Sequence, residues 1–298
     1  MPGHHMQGVF CADWQPVNGS SSIPSSGTLV VAVALKDVAV ELALLDERER
    51  ERGQRLRTTE LQQRYFSAHT ALRKVLGWRL NCLPDRLIFH HSVHGKPHLT
   101  HHSFAFNLSH SGSYALIAMA EHGTVGVDLE RRDPLRELDL MADQVFAASE
   151  LHLFRALPLS QRQHAFFTAW TRKEATLKAL GLGLPGGMEH VVFHDDSPTL
   201  CGNFIVLPGL RALHVVDLAT SPDFAAALCH GPQAGPVACR RWLSEVTSAT
   251  SPTSSSSLLG AHVPTADTTS LAVWKPENDM EDRRTGEAKS NESARLHD

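Results

Sequence analysis

Gly126-Val127-Asp128-Leu129-Glu130 is the stretch on which the reading of this chain turns. Aliphatic residues alternate there with a glycine and two acids, the pattern of a strand with one buried face. Successive strand side chains point to opposite faces, so Asp128 and Glu130 project the same way. Two carboxylates about 6–7 Å apart along one face repel unless positive charge lies between them. A hard divalent cation such as Mg²⁺ is the natural guest. Taken alone, a solvated D-x-E on an exposed strand is the commoner case.

Two further segments flank it. Downstream runs Trp170-Thr171-Arg172-Lys173-Glu174-Ala175-Thr176-Leu177-Lys178. On a helix, Trp170, Glu174 and Lys178 are spaced i, i+4, i+8 and share a face. Glu174 can then serve as a third oxygen ligand or a general base, and Lys173 and Lys178 can meet phosphate charge. The bland alternative is a surface helix with an ordinary Glu–Lys pair. Upstream, Phe106-Asn107-Leu108-Ser109-His110-Ser111-Gly112 reads as a strand running into a polar loop. Such a loop offers N–H groups and hydroxyls to an anion, or is simply a turn. No G-x-S-x-G elbow surrounds either serine, so a hydrolase triad is not indicated.

Working outward, Thr28–Leu35 is rich in β-branched residues and is expected as a strand. Leu45–Leu80 carries apolar residues at helical spacing, with Gly77 as its stop. Leu87–Phe89 reads as a short strand and Gly95-Lys96-Pro97 as a turn. Phe104–Leu108, Tyr114–Ala120 and Val125–Leu129 read as strands, the last two joined as a hairpin through Gly123. Helices are expected at 138–146, 149–157 and 161–180, and late strands at 191–193, 204–206, 213–216 and 224–229. Residues 1–27, rich in Gly, Ser and Pro, read as a flexible leader. Residues 233–298 read as a disordered tail, since a Ser/Thr-rich and then charged segment buries too little apolar surface to offset its ordering entropy.

The composition narrows the class. The 298 residues are 42% hydrophobic and 20% charged, which excludes a wholly disordered or fibrous chain. No stretch approaches the roughly 20 apolar residues of a bilayer span, and the first residues lack the basic and apolar regions of a secretory signal. With 28 Lys+Arg against 32 Asp+Glu, the net charge of −4 argues against bulk nucleic-acid binding. Five widely spaced cysteines without a C-x-x-C argue against a disulfide framework or a Cys-based zinc site. A cytoplasmic protein fits best.

The order F-N-x-S-H-S-G, G-V-D-x-E, W-x-x-K-E-A-x-x-K, with His94-Gly95-Lys96-Pro97 upstream, resembles the 4′-phosphopantetheinyl transferase family. The likeness is to the monomeric type that activates peptide and polyketide synthases, and it covers roughly residues 35–229. It implies an α+β fold of two similar α/β halves related by a pseudo-twofold, here 28–125 and 126–232, with the site in the cleft between them. It implies transfer of 4′-phosphopantetheine from coenzyme A to a serine of an acyl or peptidyl carrier protein, with release of adenosine 3′,5′-bisphosphate. Asp128, Glu130 and Glu174 match the family's Mg²⁺-binding acids. Glu174 also matches the position proposed to deprotonate the carrier serine, directly or through a bound water.

On the same basis, Lys178, His110 and Ser109 match pyrophosphate contacts, and Lys173 the basic position beside the catalytic Glu. Lys96 and Pro97 match the loop at the adenosine end of coenzyme A. Arg64 matches the ligand of the 3′-phosphate, with Arg50 and Arg52 near upstream basic positions. Trp170 and Phe106 are expected in the core. The carrier is expected to meet residues 138–157, with Phe146 and Leu153 as apolar contacts or, equally, as core. His90, His91, His94, His98, His101 and His102 crowd the Lys96 loop. They read as a His-biased surface rather than a zinc site, with His94 a possible phosphate contact. Two rival readings are a metal-dependent phosphohydrolase using the same acids and a non-catalytic module that holds carrier domains.

Overall fold

The computed structural model describes residues 10, 14–22, 27–100, 104–182, 187–192, 204–205 and 213–243. Two sheets stack face to face, and each is covered on its outer face by one long helix. The first sheet contains β1 (Gln15–Val17), β2 (Thr28–Ala34), β5 (Ala105–Ser111), β6 (Tyr114–Ala120) and β11 (Val237–Trp242), in the order β1-β11-β2-β6-β5. The second contains β7 (Val125–Arg131), β8 (Phe204–Ile205), β9 (Leu213–Asp217) and β10 (Phe224–His230), in the order β7-β10-β9-β8. A small ribbon pairs β3 (Phe89–His91) with β4 (Pro97–Leu99).

The layering follows from strand alternation. In β2, Leu29, Val31 and Val33 enter a core shared with α2 (Thr59–Leu80), while Val30, Ala32 and Ala34 face the second sheet. In β10, Ala225, Ala227 and Cys229 face α5 (Leu159–Leu180), while Phe224, Ala226 and Leu228 enter the layer between the sheets. Both strands are buried on both faces, which is why they read as continuous apolar runs. The helices α2 and α5 are each 22 residues long, and each ends on a left-handed residue, Asn81 (φ 51°) and Gly181 (φ 70°).

The structure departs from several expectations. The helix expected over 45–80 is broken into α1 (Glu47–Gln54) and α2, because Asp46 and Glu49 form a capping box and Thr58 caps a fresh start at Leu61 N. Helix α2 runs on past Gly77 and stops at Asn81. The expected hairpin of 114–120 with 125–129 does not form. Both edges of β6 are taken, by β2 and β5, so β7 is diverted to pair with β10. The tight turn is instead Gly112-Ser113, joining β5 to β6, with Gly112 at φ 56°.

Parts of the expected leader and tail are folded. Residues 237–242 lie as β11 between β1 and β2, parallel to both. From the leader, Phe10 and Trp14 fill the layer between the sheets, and Trp78 Nε1 donates to Ser21 O at 2.8 Å. The compositional bias of the flanking segments hid these apolar anchors. The remaining tail from 244 on lies outside the described residues, as do Cys11, Phe193, Cys201 and Val206. Between them, α3 (Leu138–Val145) and α4 (Ala148–Ala156) pack with α5. The N-cap of α4 is Ala147, whose N–H donates to Glu150 Oε2 at 2.9 Å.

Candidate active site

The two sheets meet along β5 and β7, which are joined by side chains rather than by a backbone ladder. Asn107 Oδ1, Ser109 Oγ and Ser111 Oγ accept from the N–H groups of Val127, Leu129 and Arg131 at 2.8, 3.3 and 3.0 Å. Period-two residues on one strand thus satisfy period-two N–H groups on the other. The strand expected to end at Leu108 continues through Ser109–Ser111, where a polar loop was expected. Its polar residues are what a strand needs in order to serve as a bridge between sheets.

The same bridge orients the acids. Ser109 Oγ donates to Asp128 Oδ1 at 2.9 Å, and Ser111 Oγ to Glu130 Oε2 at 3.1 Å. Across β7 lies α5, pressed so close that a Cβ on Gly126 would stand 2.1 Å from Ala175 O and 2.3 Å from Ala179 N. That approach brings Lys178 Nζ to 2.7 Å from Asp128 Oδ1 and 3.1 Å from Ser109 Oγ. Glu174 lies one turn earlier on the same helix face and is buried, as is Asp128.

Asp128 Oδ2 is buried without a hydrogen-bond partner. A buried anionic oxygen left in this way favours a cation against it. Asp128, Glu130 and Glu174 offer only hard oxygens, the donor set of Mg²⁺ rather than of zinc. Among the described residues, however, no three acidic, His or Cys groups already stand as a metal-holding cluster. The donors fit a hard cation in kind, and Lys178 supplies the positive charge beside Asp128.

A groove adjoins this junction. Arg48, Arg52, His69, His91 and Lys178 bring basic groups to it, and Tyr65, Leu72, Phe89, Gly95, Pro97, Asn107 and Leu108 complete the wall with Glu49. The arginines are i and i+4 on α1 and so share a face. They are aimed by a buried network on α1's inner side. Arg73 donates to Glu49 Oε2 at 2.8 Å, to Asp46 Oδ2 at 3.0 Å and to Leu87 O at 3.0 Å, while His69 Nδ1 lies 2.9 Å from Glu49 Oε1. Burial works against ionisation of Glu49, but His69 and Arg73 outweigh it and hold the carboxyl below its usual range. Burial, aided by Arg48, pushes His91 down.

The structure brings together Asp128, Ser109, Lys178, Arg52 and Pro97, at the junction or on the groove. His110 is buried on β5, on the strand face of Phe106 and Leu108. Arg64 pairs with Glu60 at 2.5 Å and does not line the groove, and Arg50 is exposed. Arg48, not among the expected basic positions, does line it; only the helical register distinguishes it from Arg50. Lys173 points away from the acids. It is fully buried, bound to Glu150 Oε2 at 2.5 Å and to the carbonyls of Met188 and Val191. Lys96 also turns from the groove, between Gly95 and Pro97 that line it. Trp170 and Phe106 are core residues, and so is Phe146, whereas Leu153 is exposed. His90, His94 and His98 are exposed on the ribbon and its turn, and His101 and His102 lie outside the described residues.

The site is thus an acidic junction beside a basic groove on a scaffold of two α/β halves. Family models for the 4′-phosphopantetheinyl transferase N-terminal region and the 4′-phosphopantetheinyl transferase superfamily match residues 34–122 and 124–229. Matched in order over both halves, the chain belongs to the 4′-phosphopantetheinyl transferase family. A Synechocystis sp. protein named for that transfer is 38% identical over 153 residues, covering 50% of this chain and 62% of its own length. The 4′-phosphopantetheinyl transferase HetI of Nostoc sp. is 37% identical over 154 residues, covering 50% and 64%. The psf-1 transferase of Bacillus pumilus is 31% identical over 151 residues, covering 49% and 61%. The chain thus spans about three fifths of the length of these curated relatives. Among the described residues no helix is long and apolar enough to cross a membrane.

Proposed function

We propose that this protein is a monomeric, cytoplasmic, Mg²⁺-dependent transferase of the surfactin-synthetase-activating type. It moves 4′-phosphopantetheine from coenzyme A to a serine of an acyl or peptidyl carrier protein, as a holo-carrier synthase. The observation that carries this reading is the Ser109–Asp128–Lys178 junction, closed between β5, β7 and α5 beside a groove that presents two arginines and two histidines. A basic groove suits a ligand with three phosphates, and the acidic junction suits the ion that accompanies them.

In this reading Arg48 and Arg52 hold the adenosine end of coenzyme A, and Lys178 and His110 contact the pyrophosphate. Asp128, Glu130 and Glu174 would hold Mg²⁺, which when bound neutralises charge growing on the leaving phosphate. Glu174 accepts the proton of the carrier serine. The serine oxygen forms a bond to the phosphorus bearing the pantetheine arm, and the bond from that phosphorus to the bridging oxygen breaks. Adenosine 3′,5′-bisphosphate leaves with the bonding electrons. Lys178 offsets negative charge on the bridging side, and the buried position of Glu174 keeps bulk water from competing for its proton.

The test is incubation with coenzyme A, Mg²⁺ and a panel of apo-carriers, followed by mass measurement. A carrier gaining one phosphopantetheine supports the reading. Turnover of coenzyme A without any carrier would instead mark a phosphohydrolase, and coenzyme A binding without either reaction would mark a non-catalytic module.

A further inference from the structure

Lys96 sits between two groove-lining residues, yet its side chain leaves the groove and crosses to the other half. Its Nζ donates to Val125 O at 3.1 Å and to Ala179 O at 2.9 Å. Val125 opens β7, three residues before Asp128, and Ala179 follows Lys178 in the last turn of α5. The final carbonyls of a helix lack intrahelical donors and carry its negative end, so an ammonium there is well placed. Ala179 O also accepts from Thr124 Oγ at 2.5 Å. The Lys96 stem passes against Gly181, where a Cβ would stand 3.3 Å from Lys96 Cδ. One ammonium therefore grips both the strand and the helix that bear the site's charged groups.

We propose that Lys96 is a positioning residue of the transfer reaction, pinning the start of β7 to the end of α5 and so fixing the spacing of Asp128 from Glu174 and Lys178. This inference rests on the transferase reading and deepens it. It replaces the expected role of the Lys96 side chain as a ligand of coenzyme A. Gly95 and Pro97, on either side of Lys96, line the groove, while the side chain between them ties that same turn to the acidic junction. Burial pushes the ammonium down to about 8, and neither of its hydrogen-bond acceptors is a carboxylate, so the pin is held at a cost in hydration. With no slack at Gly126, small shifts of α5 pass directly to Lys178.

Lys96→Met keeps the stem and removes the ammonium, and Thr124→Val removes the second donor to Ala179 O. Each is tested for kcat at saturating coenzyme A, for the calorimetric Kd of coenzyme A, and for amide exchange. The expected result for Lys96→Met is a kcat at least tenfold lower, a Kd within threefold of the parent, and at least tenfold faster exchange across 125–131 and 174–182. Thr124→Val is expected to lower kcat two- to fivefold with Kd kept. A Kd raised tenfold or more with kcat retained would make Lys96 a ligand contact and overturn the proposal. So would unchanged kcat and exchange. Should Lys96→Met not fold, Thr124→Val decides on the same criteria. A parent that modifies no carrier defeats the transferase reading, while the exchange measurement still tests the pin by itself.

Discussion

Replacing Gly126 by alanine probes the contact on which the site geometry depends. The added Cβ would lie 2.1 Å from Ala175 O, 2.3 Å from Ala179 N and 2.9 Å from Ala179 Cα. All three are backbone atoms of α5, so no side chain can swing aside. Ordinary contact is about 3.4 Å or more, which requires the helix and strand to part by about 1 Å. Overpacking of this kind destabilises by ~1–3 kcal/mol, and backbone obstruction on both sides places it near the upper end. For a domain of this size each kcal/mol lowers Tm by about 2–4 °C, so Gly126→Ala should melt about 6–12 °C lower. The same displacement draws Lys178 Nζ away from Asp128 Oδ1, now 2.7 Å apart. Transfer to the carrier should therefore fall at least tenfold even at temperatures where the variant is fully folded. Calorimetry and the mass-shift assay read both effects. A variant with Tm within 2 °C of the parent and undiminished transfer would show that β7 and α5 are not in the tight contact described.

Other outcomes follow from neighbouring residues. Asp128→Asn leaves the buried Lys178 ammonium without its anion, so stability should drop by about 3 kcal/mol in denaturant titration and holo-carrier formation should cease. Arg52→Ala should weaken coenzyme A at least tenfold and dephospho-coenzyme A less, whereas Arg64→Ala, off the groove, should change either Kd less than threefold; the reverse order would return Arg64 to the 3′-phosphate. Glu49 has its pKa lowered on folding, so it contributes stability above the unfolded value near 4.5 that is lost as pH falls through the folded one. Glu49→Gln should accordingly flatten the decline of Tm below pH 5, and a parallel decline in parent and variant would refute the coupling. Lys96 is also shifted down, which for a base favours the neutral form when folded. The parent should gain stability relative to Lys96→Met as pH rises from about 8 toward 10.5.

Much of the site was legible in one dimension because its elements are periodic. Alternation in 126–130 puts Asp128 and Glu130 on one face, and the i, i+4 spacing puts Glu174 beside Lys178. Runs such as Thr28–Ala34 and Phe224–His230, apolar except at Thr28 and His230, signal strands covered on both sides, and such strands are found here. What periodicity cannot express is which element lies against which. Ser109 and Ser111 look like a turn until β7 is laid beside them, and then they join Asn107 as the hydrogen-bond partners of its N–H groups. Lys173 and Lys96 are basic residues in motifs rich in function, yet neither ammonium reaches Asp128, Glu130 or Glu174: Lys173 ends on Glu150 and two carbonyls, and Lys96 on two carbonyls. Arg48 and Arg50 are indistinguishable as sequence; one lines the groove because Glu49, between them, is drawn inward to Arg73.

The amino-acid order by itself determined the strands, the long helices and the acids that share a face, since these depend on repeats of two and of 3.6 residues. Only the tertiary structure decided that β11 and Phe10 join the fold, that β7 leaves β6 for β10, and which lysines meet a carboxylate. Those outcomes rest on contacts between residues 20 to more than 200 positions apart, where the close approach at Gly126 and the competition for strand edges choose among arrangements that local pattern leaves equal.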